Sequence, residues 1–543
     1  MMSSLSWHQQ LLLLPVVVPL LAGALLIPIN EKHHRRKYAV NLLSTLLLLA
    51  CALRLFWLTD SEHWPAGIGV YLAANWSAPY GIALVGDRLA ALMLVLTSVL
   101  ALAVLVFSAS RWSRIGVHFH TLFQFLLMGL NGAFLTNDLF NLFVFFEVML
   151  AASYGLVLHG YNVNRIRAGM QYITINLLAS FLFLIGVALI YATAGTLNIS
   201  DLGARVATLG ADELRLLEIG AAILALAFLT KSAMWPLGFW LPTTYAAASP
   251  PVAAMLVLMT KVGIYALLRV WLQVFSADTG PLAGFGFVAL FFGGMLTLGF
   301  GAIGMLASQE PGRIAGYGAI VSSGTLLAVI GYGQPSLITA GLFYLLGSTI
   351  ATAAFLLLIE LIERIRTPGL ALLAVTMEAF AIDEKPEEPV GVGIPGTLAF
   401  LGLAFAGCAL VITGLPPLSG FIAKFSLFHA LLNPEIGEPD INTWALMFLI
   451  IAAGLAGTIS LMRFGVRTFW AAGAVVPPRL QISELAPIAA LLLLCVGLTV
   501  MAGPVTAYLQ RVSDGLHQPG RYIDRVLGEP VIPSRSLEPE GQR

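Results

Sequence analysis

The stretch "DLFNLFVFFEVMLAASYGLVLHG", residues 138–160, decides the fold and poses the functional question together. Between Asp138 and His159 it holds one charged residue, Glu147, in a run otherwise apolar enough for a membrane helix. Glu147 lies nine residues past Asp138. At 1.5 Å of rise per residue that is about 13 Å, near the middle of a hydrocarbon core about 30 Å thick. A charge at that depth costs on the order of 2.5–3.5 kcal/mol on insertion scales, and such groups face a partner or a water-filled cavity. The rest of the chain has to supply that partner.

The chain has 543 residues, 59% hydrophobic and 10% charged, with a mean hydropathy of +0.90. Apolar runs recur from about residue 10 to about residue 508, the pattern of a polytopic membrane protein. The formal net charge is zero, so no global basic field attracts nucleic acid. Cys51, Cys408 and Cys495 stand singly in apolar spans, which fits neither a disulfide framework nor a CxxC site and reads as apolar filler. The start, "MMSSLSWHQQLLLLPVVVPLLAGALLIPIN", lacks a basic n-region and a clear cleavage site and reads as a retained first helix.

Windows of about 20 apolar residues predict an all-α bundle of about fourteen transmembrane helices, from 10–29 to 485–508. Lysine and arginine cluster in alternate loops: "EKHHRRK" (31–37), "RWSR" (111–114), "NRIR" (164–167), Arg313, "ERIR" (363–366) and Arg463 with Arg467. Those loops are expected to be cytoplasmic, and an even helix count then puts both termini outside. The acidic, Pro/Gly-rich linker 367–395 and the tail 509–543 read as flexible or partner-facing segments too short for an independent core.

Three lysines share the depth of Glu147. Lys231 precedes "SAMWPLGFWLP", where Pro236 and Pro242 bracket a helix break, Lys261 is ten residues past Pro251, and Lys424 follows Pro416, Pro417 and Gly420. Broken helices in corresponding positions of two halves point to a transporter site, and irregular backbone at that depth is tolerated only inside protein or along a watered cavity. Burial disfavours the charged form of a lysine, and a neighbouring carboxylate restores it. A Glu–Lys pair that can be made and broken is therefore a proton switch, with Glu147 expected to partner Lys231 and with Lys261 and Lys424 continuing the relay. Static ion pairs are the plainer alternative, but three lysines and one evident acid leave positive charge unmatched.

Other signals are weaker. "GFGAIG" (299–304) sits in an apolar span with no preceding strand and reads as helix packing. "HFH" (118–120), His159 and His429 read as interfacial histidines, and Arg269 and Asp87–Arg88 as helix-end charges that snorkel. No nucleophile elbow, HExxH zinc motif or phosphate loop is present, so a membrane enzyme is disfavoured, and neither cofactor nor metal is expected.

"NDLFNLFVFFEVMLAASYGL", "KSAMWPLGFWLPTTYAAASPPVAAMLVLMTKVGIYALLRV" and "LPPLSGFIAKF" together closely resemble the D-type subunit of the multisubunit Mrp/Pha/Mnh-type cation/proton antiporters, itself similar to the antiporter-like pumping subunits of respiratory complex I. The likeness covers roughly residues 80–510. It implies three leading helices in 1–116 and two inverted five-helix repeats containing broken helices, 117–275 and 285–467. The remainder, 468–543, would hold the last helix and the tail. It also implies a glutamate–lysine pair at Glu147 and Lys231, a central lysine at Lys261 and a terminal one at Lys424. Where many relatives carry histidines in the tenth and eleventh helices, this chain has "AIVSSGTLL" with Ser322 and "GSTIAT" with Ser348 and Thr352, so hydroxyls and water would have to bridge Lys261 to Lys424. Asp138, Pro236 and His429 complete the candidate auxiliary residues.

The function expected is that of one subunit in a multisubunit antiporter of the bacterial inner membrane, exchanging cytoplasmic Na⁺ or K⁺ for protons alongside other membrane subunits in the lipid bilayer. The rival is a proton-pumping membrane subunit of a redox-driven complex of the complex I or membrane-hydrogenase type. Lysine rather than a carboxylate at 424 favours the antiporter.

Overall fold

The computed structural model describes residues 8–61, 63–276, 282–364, 396–433, 438–469 and 480–531. The linker 367–395 and residues 532–543 of the tail lie outside them. The helices run α1 (Leu14–Leu26), α2 (His34–Asp60), α3 (Arg88–Ser108), α4 (Phe119–Leu135), α5 (Leu139–Val157) and α6 (Val163–Ala194). Next come α7 (Ile199–Arg205), α8 (Ala211–Lys231), α9 (Trp240–Ala247), α10 (Pro250–Val274), α11 (Phe287–Ala307), α12 (Pro311–Tyr332) and α13 (Pro335–Glu363). The last are α14 (Gly396–Thr413), α15 (Ser419–Leu431), α16 (Ile441–Phe469), α17 (Ile482–Val500), α18 (Ala502–Leu516) and α19 (Pro519–Leu527). Among the described residues eleven of these are long and apolar enough to cross a membrane, and α1 and α4 are shorter apolar helices.

Burial sorts the bundle. α10 starts on Pro250 and Pro251, whose fixed φ suits a first helical turn, and every residue from Pro251 to Val274 is buried. A helix apolar on all faces belongs inside a bundle. α13 is buried almost as completely, and the two central helices touch. α2, α6, α16 and α17 instead expose rows of large apolar side chains, such as Leu43, Leu47, Leu177 and Phe181, the surface expected against lipid or other membrane helices. Small residues bring α11 and α12 together: a Cβ on Gly294 would sit 2.3 Å from the Ala328 nitrogen, and one on Gly304 2.2 Å from the Tyr317 ring. "GFGAIG" is thus a helix-packing surface.

Two features depart from expectation. Strands β1 (Gly69–Leu72) and β2 (Ala83–Gly86) form an antiparallel hairpin between α2 and α3. Four-residue strands give too few alternations to register as a period. The tail, read as flexible, forms α18 and α19 as far as it is described: Tyr508, Leu509, Val512 and Leu516, then Tyr522 and Val526, recur at helical spacing among charges and are buried. Tyr508 donates to the Arg88 carbonyl at 2.9 Å and Ser513 to that of Pro335 at 2.7 Å, while Tyr522 and Val526 share a small apolar core with the hairpin.

Several charges also differ from expectation. Arg269 does not snorkel: it is 3% exposed and grips Asp87 with two hydrogen bonds, of 2.8 and 2.6 Å, with Tyr522 stacked beneath its guanidinium. Asp87 also caps α3 through the Ala90 N–H. Lys37, in a loop expected to be cytoplasmic, is buried and paired to Glu31 at 2.7 Å. His120 is buried and hydrogen-bonded to Asn41 at 2.9 Å. Breaking a buried pair by removing one partner costs about 3–5 kcal/mol, whereas an exposed pair is worth about 0–1 kcal/mol. Asp87→Asn should therefore lower the thermal unfolding midpoint of the detergent-solubilised protein far more than Asp60→Asn, which loses only the half-exposed contacts to Arg88 and Arg511. Equal midpoints for the two variants would remove Asp87 from that role.

Candidate proton-translocation site

Lys231 is the last residue of α8. From Ser232 to Phe239 the chain leaves the helix, with Ala233 at φ 58° and the Trp235 N–H held by the Thr297 hydroxyl of α11 at 2.9 Å. Only glycine fits at 238, where a Cβ would lie 2.2 Å from the Ala233 carbonyl oxygen. The Lys231 side chain is 4% exposed, and its Nζ has no hydrogen-bond partner among the described residues. It rests 5.2 Å from the centroid of the Phe146 ring, a cation–π contact held in place by Phe183 and Phe228 packing edge-on. The residue after Phe146 is Glu147, whose Oε1 is likewise buried without a partner. Glu147 thus adjoins the residue on whose ring Lys231 rests, and no direct ion pair joins the two among the described residues.

Lys261 sits in the middle of α10, 1% exposed. Its Nζ donates to the Ser322 hydroxyl of α12 at 2.7 Å, Ser322 and the Ser348 hydroxyl of α13 are 3.0 Å apart, and Ser348 reaches the Leu345 carbonyl at 3.3 Å. A hydrogen-bonded line thus crosses three helices from the central lysine toward the second half. Thr352, one turn beyond Ser348, is buried beside Met305, Phe355 and Ile412. It stands between the serines and the second break without joining that line.

At the second break, Gly414 adopts φ 76° and α15 restarts at Ser419. Lys424 turns back and donates to the Thr413 carbonyl at 2.6 Å, an acceptor that the broken helix leaves free. Its side chain nests on Gly414 and Gly454: a Cβ on Gly454 would come within 2.7 Å of Nζ. The two lysines occupy opposite sides of their breaks, Lys231 ahead of the first and Lys424 beyond the second.

The auxiliary candidates separate. Asp138 caps α5 by accepting from the Asn141 N–H at 2.8 Å and bridges to Asn198, a local structural task. Pro236 lies within the first break. His429, five residues past Lys424, stacks on Phe425 and lines a cavity of about 560 Å³ with Thr339, Thr506 and Asp514. Sequence reasoning passed over Ser153, Tyr154 and Tyr172. Tyr172 and Ser153 share a 2.7 Å hydrogen bond, Tyr154 packs edge-on against Tyr172, and the buried Tyr154 hydroxyl has no partner and feels the Glu147 charge. Aromatic residues in an apolar helix read as core, and only the spacing of Tyr154 from Glu147, two turns along one face, hints otherwise. Among the described residues no cluster of three or more His, Cys, Asp or Glu could hold a metal.

Residues 136–382 match the family model described as NADH:quinone oxidoreductase/Mrp antiporter, TM. A Rhizobium meliloti (strain 1021) protein, named as the probable D-type subunit of a K⁺/H⁺ antiporter, is 51% identical over 531 residues, covering 96% of this chain and 98% of the relative. The corresponding D-type subunit of the Na⁺/H⁺ antiporter of Alkalihalophilus pseudofirmus (strain ATCC BAA-2126 / JCM 17055 / OF4) is 32% identical, covering 96% and 99%. A chain from the structure of the Mrp complex of Dietzia sp. DQ12-45-1b superposes with a TM-score of 0.80 and 28% identity, over 96% of this chain and 100% of that one. Similarity of this extent, end to end in sequence and in fold, places the chain in the D-type subunit family of Mrp-type multisubunit antiporters.

Proposed function

We propose that this chain is the proton-translocating subunit of a secondary antiporter in the bacterial inner membrane, exchanging cytoplasmic Na⁺ or K⁺ for external protons in concert with other membrane subunits. The arginine-bearing loops face the cytoplasm, both termini lie outside, and residues 117–275 and 285–467 form the two inverted repeats. The observation that carries the reading is the state of the buried charges. Lys37, Arg269, Glu360 and Glu484 are each bound to an opposite charge, at 2.6–2.9 Å. Glu147, Lys231, Lys261 and Lys424 form no ion pair among the described residues, and the three lysines rest on an aromatic face, a hydroxyl and a carbonyl. Paired charges tie helices together, whereas a lysine on neutral partners is free to exchange its proton. The relatives that match over 96% of the chain are named antiporter subunits, which favours this reading over a redox-driven pump.

The geometry supports the following sequence. With Glu147 and Lys231 in contact the lysine holds its proton, and when they part, as they stand here, the proton is released toward Lys261. Lys261 then gives a proton to the Ser322 oxygen while the Ser322 proton passes to Ser348 and the Ser348 proton to a water beyond it, so both hydroxyls end neutral. Water has to carry that proton on to Lys424, which is held by the Thr413 carbonyl.

Two outcomes are expected in everted vesicles containing the assembled complex. Glu147→Gln and Lys231→Ala should each lower cation-dependent proton exchange by about tenfold or more; normal exchange in both, with normal assembly, would end the relay reading. Ser322→Ala strips Lys261 of its acceptor, at about 1–3 kcal/mol, which is roughly tenfold to a hundredfold in rate if proton transfer limits turnover. Ser322→Thr should keep most of the rate, and equal rates for the alanine and wild-type chains would disconnect Lys261 from the second half.

A further inference from the structure

On the face that bears Arg111, Arg165 and Arg313 the chain opens into a cavity of about 750 Å³. Its walls carry Asn164, Arg167, Gln171, Thr243, Glu310 and Glu363, a lining polar enough to hold water. One residue on its wall reaches from the cavity into the protein interior. Tyr245 belongs to α9, the short helix that follows the first break and stops before Ser249 and Pro250. Its ring is 2% exposed, yet it lines the cavity.

The Tyr245 hydroxyl donates to the Leu256 carbonyl of α10 at 2.8 Å, just over one helical turn before Lys261. Trp240, at the start of the same short helix, packs 5.2 Å from Tyr172. Tyr172 leads to Ser153 and to Tyr154, whose unpartnered hydroxyl is two turns from Glu147 on one face of α5. Tyr245 therefore links the cavity wall to the part of α10 that carries Lys261.

We propose that the Tyr245 hydroxyl is the residue through which protons pass between the cytoplasmic cavity and the buried relay, crossing to α10 at Leu256, just over one turn before Lys261. The inference rests on the relay reading above and adds its point of entry. The step leaves the ring neutral. The phenolic oxygen accepts a proton on a lone pair from the cavity side, and its own O–H proton leaves to the next oxygen as the hydroxyl turns from the Leu256 carbonyl. A phenyl ring of the same shape could do neither.

Tyr245→Phe removes only the hydroxyl. In everted vesicles of the assembled complex it should lower cation-driven proton exchange by about tenfold or more, and Tyr245→His, which can take and give a proton, should recover part of the rate with a changed pH profile. A wild-type rate for Tyr245→Phe overturns the assignment, as does a Tyr245→His variant as slow as the phenylalanine one with an unchanged pH profile, the behaviour of a residue that only stitches α9 to α10. Glu147→Gln and Lys261→Ala measured alongside separate the two levels: if these fail while Tyr245→Phe runs normally, only the entry point is wrong, and if all three run normally the relay falls with it. Should Tyr245→Phe fail to assemble, labelling decides. Thr243→Cys in a chain with Cys51, Cys408 and Cys495 replaced should react with a membrane-impermeant maleimide from the cytoplasmic face, and protection from that face would overturn the open entry.

Discussion

An ammonium group inside an apolar bundle has to be met by something that replaces water, and much of this structure follows from how three lysines are met. Hydrocarbon offers no acceptor, and regular helices spend their carbonyls on themselves. The chain uses three solutions. Lys231 sits on the face of Phe146, Lys261 on the hydroxyl of Ser322, and Lys424 on the Thr413 carbonyl that a broken helix has released. The breaks at 232–239 and 414–418, the glycine at 238 and the left-handed Gly414 are the backbone arrangements on which these solutions depend.

The solutions share a property that separates function from architecture. Two fixed joints are full ion pairs: Arg269 on Asp87 ties α10 to the start of α3 and, through Tyr522, to α19, while Arg364 with Glu360 and Glu484 joins α13 to α17. Such joints lock two charge states together. The row from Glu147 to Lys424 avoids them: its lysines rest on neutral groups, and the Ser322 and Ser348 hydroxyls can take one proton while giving up another and so stay neutral. Around that row, α10 and α13 are enclosed on all sides, so rotamer changes and small movements at the two breaks are the motions left for switching.

Much of this was legible in the sequence because depth and charge are one-dimensional properties. Apolar windows located the spanning helices, prolines located both breaks, and counting residues from a helix end put Glu147 and the lysines at depth. What stayed hidden depended on partners distant in sequence. Arg269 looked like a snorkelling helix-end charge because Asp87 is 182 residues away. The serines could be named as hydroxyls in the right helices, but their alignment on Lys261 is a property of packing. Tyr154, Tyr172 and Tyr245 looked like core aromatics, since a phenol counts as apolar in any periodicity. The 69–86 hairpin was too short to show a period, and α18 and α19 dilute their apolar face with charge.

The claim on which this account turns is that the Glu147–Lys231 contact is made and broken as the cation changes. Infrared difference spectroscopy on the purified complex, switching the bath between Na⁺ or K⁺ and an inert cation, reads that directly. The account predicts a carboxyl band that shifts as the contact with Lys231 forms and parts, present in the wild-type complex and missing in Glu147→Gln. A spectrum in which no carboxyl changes state, or in which the band survives that substitution, would contradict it.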